Sequence, residues 1–255
     1  MTTKTTRGVV PILTYHSLDE SGSVISMHPD IFARQMACLA EMGWRATTIS
    51  RAVEHLEEAG RWPEHTVVLT FDDGYQNLCQ HARPVLSQHG FQATVLLVTD
   101  HVGGDSSWAE PPTGLGVQRV LGWEQVHELA EAGWEIGAHT RTHPDLTKLT
   151  AGQLEHEIRG SRLEIEDRLG VAVTSFAYPF GSTSIAATSI VAREFKAACT
   201  VDLRRATVEA LHSLPRVDTY YVREPETLQR LLPGSLDTYL TIRRWGRRVR
   251  AAMMG

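Results

Sequence analysis

The sequence predicts an α/β fold in which parallel strands are joined by crossover helices, and three observations carry that prediction. Short runs of apolar and β-branched residues recur along the chain, and each is followed by a segment with helical periodicity. Seven such runs can be counted, each of strand length. The 255 residues, 42% hydrophobic and 22% charged, have ordinary globular composition and fit the size that one α/β barrel fills.

The seven expected strands are Val9–Tyr15, Thr66–Phe71, Ala93–Thr99, Trp134–Ala138, Thr174–Tyr178, Lys196–Thr200 and Ser213–Val217. Asp30 is expected to cap a helix with Phe32, Met36 and Leu39 on one face, and Ser50 a second with Val53 and Leu56; Gly43 and Gly60 end them. Thr150 to Leu169 places Leu154, Ile158, Ile165 and Leu169 on one stripe, which Gly170 stops. Residues 101–122 are rich in Gly, contain two adjacent Pro and have no periodicity, so this long connection is expected to be functional or mobile. Residues 1–234 read as one barrel domain. Residues 235–255 form a basic amphipathic helix, with five Arg, one Asp and a stripe of Ile242, Trp245, Val249 and Met253.

A formal net charge of −5 argues against a nucleic-acid partner. Cys38, Cys79 and Cys199 lack metal-site or disulfide spacing and read as free or buried thiols in a reducing compartment. With neither an apolar leader segment nor a run long enough to span a membrane, the expected location is the cytoplasm. The tail helix has two readings. It can lie peripherally on an anionic membrane, or it can dock its stripe on the barrel or a second subunit. Oligomeric state is left open.

Two motifs carry chemistry. TVVLTFDDGY ends a buried strand with Asp72 and Asp73; adjacent carboxylates point in different directions, so one can hold a cation while the other handles a proton, although Asp-Asp-Gly is also a common turn. GAHTRTHP follows another strand with His139 and His143 four residues apart, a spacing that puts both rings on one side of a helical turn. Among 12 His such a pair can arise by chance, so its context decides. In a parallel barrel the residues just after the strands converge on the C-terminal face, where Asp72, Asp73, His139, Tyr178 and His16 would meet. Two His and one carboxylate would leave room for water, as in a hydrolytic zinc centre.

TFDDG at Thr70–Gly74, HTRTH at His139–His143 and FAYPFG at Phe176–Gly181 resemble the first three motifs of the polysaccharide deacetylases, the NodB-like carbohydrate esterases, in the branch with a Tyr-Pro-aromatic-Gly third motif. The resemblance runs from about Pro11 to Val217, including ILTYH and LPRV. It implies a distorted (β/α)7 barrel, with Asp73, His139 and His143 as metal ligands and Asp72 as general base toward a metal-activated water. It also implies that the backbone N–H of Tyr178 helps hold the oxyanion. The ligand set suits Zn2+, with Co2+, Ni2+ or Fe2+ also fitting.

Two departures from the family pattern stand out. Ala177 occupies the place of an Arg that steadies the base, and the last strand reads LHSLPRV where many members carry a His general acid. Arg216, if inward-facing, can replace the missing Arg by pairing with Asp72; the alternative is a surface or barrel-floor salt bridge. His16 is the preferred acid and His212 the alternative. Trp108 either stacks on a sugar or packs its own loop. The implied activity is hydrolysis of an acetyl group from an N-acetylated sugar in a poly- or oligosaccharide or glycan precursor. Hydrolysis of O-acetyl esters or non-sugar amides, or glycan binding without catalysis, are the competing readings.

Overall fold

The structure, a computed structural model, describes residues 8–208 and 210–254, without the side chains of residues 248–254. In chain order it comprises β1 (Ile12–Tyr15), β2 (Ser17–Leu18), β3 (Ser26–Met27), α1 (Pro29–Glu41), β4 (Arg45–Thr47), α2 (Ile49–Ala59), β5 (Thr66–Phe71), α3 (Asn77–His89), β6 (Thr94–Leu97) and α4 (Trp123–Glu131). It continues with β7 (Glu135–Ala138), α5 (Ala151–Leu169), β8 (Ser175–Ala177), α6 (Ile185–Glu194), β9 (Ala197–Cys199), β10 (Val217–Asp218), α7 (Pro225–Leu231) and α8 (Asp237–Met254).

The main sheet runs β10-β1-β5-β6-β7-β8-β9, all parallel, with β4 added beside the first half of β5. Leu214 forms a parallel bridge with Cys199 while Val217, three residues on, pairs with Leu13, so the segment entering β10 touches both ends of the path and curls the sheet into a distorted barrel. Six of the seven expected strands overlap the observed ones closely. The seventh differs: residues 211–213 form a 3-10 turn, and the strand begins at Val217, where it was expected to end. Pro215 lacks the N–H that a continuous ladder needs.

Period-two alternation sorts the strands into two cores. Leu13, Leu69, Phe71, Val95 and Leu97 face outward under the helices, while Ile12, Val68, Leu96, Ala177 and Cys199 share the inner cluster with Ile49, Ala52, Val53 and Leu56 of α2. Helix α2 lies across the N-terminal end of the barrel. Its first amides are taken by Thr94 Oγ1 (3.0 Å, from Ile49) and by Glu135 Oε2 (3.0 Å, from Ser50), side chains at the starts of β6 and β7. That end is therefore closed, and the C-terminal end is left for chemistry.

The helix caps correct two expectations. His28, not Asp30, caps α1: its Nδ1 accepts from Asp30 N at 3.2 Å, with Pro29 opening the helix. Thr48, not Ser50, caps α2, accepting from Arg51 N at 3.3 Å. Thr150 and Gly170 bound α5 as expected. The long connection 101–122 is tied to the body by antiparallel bridges Tyr75↔Val120 and Asp105↔Arg119 and by Leu121 N donating to Gly74 O at 2.9 Å. The three cysteines are free thiols.

The tail helix also departs from expectation. Leu236 and Leu240 are buried in the main core, whereas Ile242 is 64% and Trp245 70% exposed; Val249 and Met253 of the expected stripe lie outside the described side chains. The docked face is thus offset from the expected stripe. Leu240→Ala is expected to lower unfolding free energy by about 2–4 kcal/mol, and Trp245→Ala by less than about 0.5 kcal/mol. Denaturant titration measures both, and equal losses would show that the helix packs through the other face.

Candidate metal centre and active site

The strand ladders continue just far enough to present the functional side chains. Asp72 N donates to Tyr15 O at 3.0 Å, beyond the end of β5, and His139 N donates to Leu97 O at 2.8 Å, beyond the end of β7. Both residues are therefore held as rigidly as strand residues while lying on the open face. After Asp72 the chain turns through Asp73 (φ 70°) and Gly74 (φ 64°), both left-handed. At Gly74 a Cβ would meet Leu97 Cδ2 at 2.7 Å, so both conformation and space call for glycine.

Alternation carries Val68, Thr70 and Asp72 to the inner face, where Arg216 waits. Its guanidinium donates to Asp72 through Nη1 (2.6 Å) and Nη2 (2.7 Å), to Thr70 Oγ1 at 3.1 Å and, through Nε, to Thr200 O at 3.1 Å. Arg216 is 1% exposed. Burial alone favours the neutral acid at Asp72, yet the Arg216 guanidinium beside it holds its carboxyl well below the usual carboxylate range. Asp72 is an anion fixed in direction.

Asp73 points the other way. Its Oδ1 lies 3.7 Å from His139 Nε2 and 3.6 Å from His143 Nε2, and it is buried without a hydrogen-bond partner. His139 Nδ1 lies 2.8 Å from Ala177 O; a carbonyl only accepts, so the proton sits on Nδ1 and the Nε2 lone pair faces Asp73. Burial pushes both imidazoles down to about 4, leaving them neutral at neutral pH. Burial also raises the Asp73 carboxyl. The His139 Nε2 lone pair and Asp73 Oδ1 are acceptors, and with His143 they form a group whose candidate ligand atoms lie within 4.8 Å of one another and could hold a cation. The residues present fit a divalent metal.

The two His do not share a helical turn, contrary to the expectation from their spacing. Residues 139–143 form a loop in which Thr140 (φ 70°) and His143 (φ 58°) are left-handed, and the ring centroids of His139 and His143 end 4.8 Å apart. Glu157, buried on the core stripe of α5, holds this loop: it accepts from Arg141 N (2.9 Å), Thr142 N (3.0 Å) and Thr142 Oγ1 (2.8 Å). An acid among Leu154, Ile158 and Ile165 was its legible but unread signal.

The cavity above these groups, about 230 Å3, is lined by His16, Asp72, Asp73, His139 and His143, with Tyr75, Trp108 and Phe180 among its walls. His16 Nε2 lies 3.9 Å from Asp72 Oδ2. His212 lies in the turn before β10, its Nε2 2.9 Å from Phe195 O, and does not line this cavity. Trp108 stands 5.6 Å from the His143 ring and 6.4 Å from Tyr75, so it both packs its loop and walls the cavity.

Tyr178 needs correction at the level of its amide. Tyr178 N donates to Cys199 O at 3.1 Å within the sheet and is not free for an oxyanion, while its hydroxyl donates to His212 O at 3.1 Å. The backbone hydrogen bonds of the following turn run from Gly181 and Ser182, leaving Phe180 N–H without a backbone acceptor among the described residues. Phe180 is left-handed (φ 58°), and its ring lies 4.6 Å from that of His143.

Glu157→Ala removes the acceptor for two loop amides. It should cost about 1–3 kcal/mol of stability and weaken divalent-metal affinity about 10- to 100-fold. Thermal melts and chelator-competition titration check both, and unchanged affinity would detach Glu157 from the site.

Comparison with known proteins agrees with this geometry. A polysaccharide deacetylase family model matches residues 59–196, more than half of the chain. YxkH of Bacillus subtilis is 30% identical over 172 residues, which cover 68% of this chain and 57% of YxkH. The poly-β-1,6-N-acetyl-D-glucosamine N-deacetylase of Staphylococcus epidermidis is 29% identical over 122 residues, covering 48% of this chain and 38% of that enzyme. The chain thus spans less than two thirds of the length of these curated relatives. In structure, the Streptococcus pyogenes deacetylase PplD aligns over 88% of this chain and 98% of its own with a TM-score of 0.77 at 23% identity, which shows a shared fold. The chain belongs to the polysaccharide deacetylase family.

Proposed function

We propose that this protein is a metal-dependent hydrolase that removes the acetyl group from an N-acetylated sugar in a poly- or oligosaccharide or glycan precursor. The observation that carries the proposal is an anionic Asp72, aimed by Arg216, beside an open set of three ligands at the base of a cavity with aromatic walls. The named activity of the staphylococcal relative supports the choice of an N-acetylhexosamine.

Asp73, His139 and His143 would hold the metal, which we take to be Zn2+, with Co2+, Ni2+ and Fe2+ also compatible with the donor set. A metal held there would supply Lewis acidity toward water and the acetyl oxygen. Asp72 removes the proton from the attacking water, and Arg216 keeps that carboxylate charged and oriented. Phe180 N–H, in place of Tyr178 N–H, donates to the oxyanion. His16 protonates the departing amine from the same side of the cavity as Asp72. Trp108 and Phe180 offer ring faces to the sugar.

Asp72→Asn is expected to keep its metal and lose about 10²- to 10⁴-fold in kcat, whereas Asp73→Asn should lose the metal. Acetate release from N-acetylglucosamine oligomers after Zn2+ reconstitution, with elemental analysis of each variant, tests this. Metal lost from Asp72→Asn and kept by Asp73→Asn would reverse the two roles. Acetate released only from O-acetyl esters would replace the amide substrate.

A second element of the proposal is peripheral membrane contact through α8. No helix of the described residues is long and apolar enough to cross a membrane, but Ile242 and Trp245 project from a helix bearing Arg243, Arg244 and Arg247. Vesicles containing anionic lipid should sediment the full chain in low salt, and Ile242→Ser/Trp245→Ser should abolish this. Equal sedimentation of both proteins would reject the contact.

A further inference from the structure

A second cavity, about 530 Å3, adjoins the catalytic pocket and shares Phe180 and Val201 with it. Its remaining walls come from the turn after β8 (Gly181, Thr183), the segment after β9 (including Thr200, Asp202 and Arg204), Ser213, and Arg244 and Arg247 of α8. Among the described residues that line it, three guanidinium groups stand beside one carboxylate, in a chain whose formal net charge is −5. The cationic excess is local.

Asp202 accounts for only part of these cations. It accepts from Arg204 Nε at 3.0 Å and from Arg244 Nε and Nη2, the latter at 2.7 Å, which fixes both guanidinium planes while leaving them further N–H groups to donate. Arg247 stands apart from this clamp. Its guanidinium lies 5.9 Å over the Tyr221 ring, and its Nη1 is buried with no hydrogen-bond partner among the described residues. A buried guanidinium N–H without an acceptor is unfavourable, so Arg247 retains donor capacity that Asp202 does not meet. The hydroxyls of Thr183, Thr200 and Ser213 add neutral polar groups to the same walls.

We propose that this cavity is an anion subsite. It binds an oxyanion carried by the substrate, a phosphate ester or a uronate carboxylate, on the part of the glycan next to the sugar in the catalytic pocket. The adjacency argument rests on the deacetylase proposal; the binding chemistry does not. Planar forks of N–H donors suit both oxyanions, and the shared Phe180–Val201 wall lets one ligand reach from one cavity into the other.

The test is calorimetric titration of the full chain, at low ionic strength, with inorganic phosphate, a hexose 1-phosphate and glucuronate. The wild type is compared with Arg204→Gln/Arg247→Gln and Arg204→Lys/Arg247→Lys; Arg244 is left intact so that α8 stays clamped. Binding should weaken about tenfold or more in the Gln variant, with the Lys variant intermediate because charge remains while the fork is lost. Tighter binding of the hexose phosphate would identify a phosphorylated glycan as the source of the anion, and tighter binding of glucuronate an acidic one. Absence of binding to the wild type overturns the proposal. So does binding unchanged in the Gln variant, which would place phosphate at the metal centre. If the Gln variant unfolds, comparison of wild type with the Lys variant decides in the same way. Arg-dependent anion binding by a protein that releases no acetate would leave the subsite standing and remove only the deacetylase proposal.

Discussion

The buried pair between Arg216 and Asp72 is the constraint around which the active face is organised. Arg216 precedes the last strand of the barrel and Asp72 follows β5, so the pair forms only when the sheet has curled far enough to bring β10 alongside β1 and β5. Thr70 Oγ1 and Thr200 O accept further guanidinium N–H groups, so the cation enters the interior with four of its five N–H groups matched. Replacing such a pair with apolar residues is often neutral for stability. Its value lies in what it dictates: one of two adjacent carboxylates is bound, directed and ionised, and its neighbour is left without a cationic side chain of its own.

The turns around this pair carry strained backbone conformations. Asp73, Thr140, His143 and Phe180 are left-handed residues other than glycine, and all four lie in the turns that build the site. Such conformations persist only where surrounding contacts over-determine them. Here Glu157 holds the amides of Arg141 and Thr142, Thr140 Oγ1 accepts from His143 N at 3.0 Å, and Gly181 N donates to Tyr178 O at 2.9 Å. Strand-end ladders deliver the candidate ligands to the open face, and the strained turns then rotate them inward. Neither feature alone brings an Asp and two His within coordination range.

The strands were legible because a parallel sheet buried on both sides writes itself as β-branched runs, and the carboxylate pair was legible because charge is expensive at the end of such a run. Leu214 explains why the last strand was misplaced: the same apolar residue pairs with β9 through one bridge before Val217 pairs with β1, and sequence periodicity does not separate the two. Three-residue β4 and the two-residue strands β2 and β3 are too short to show a period. The His139–His143 spacing fitted a helical turn, but left-handed residues gave the same proximity by another route. Tyr178 was named for its amide because the motif fixes position along the chain, whereas availability of an N–H depends on the neighbouring strand, here Cys199. In the tail, the helical period was visible, but which face is buried depends on where Leu236 and Leu240 meet the core.

The tail is tied to the active face through one carboxylate. Asp202 lies just beyond β9 and accepts from Arg204 beside it and from Arg244 on α8, while its backbone carbonyl accepts from Arg216 N at 3.1 Å. The residue whose guanidinium aims Asp72 is therefore held at its backbone by the residue whose side chain anchors α8. Val201, next in sequence, packs against Gly181, where an added Cβ would meet Val201 Cγ2 at 2.3 Å. Only a glycine lets the turn carrying Phe180 approach so closely. By these contacts the C-terminal helix is joined to the segment that carries Arg216 and to the turn that carries Phe180.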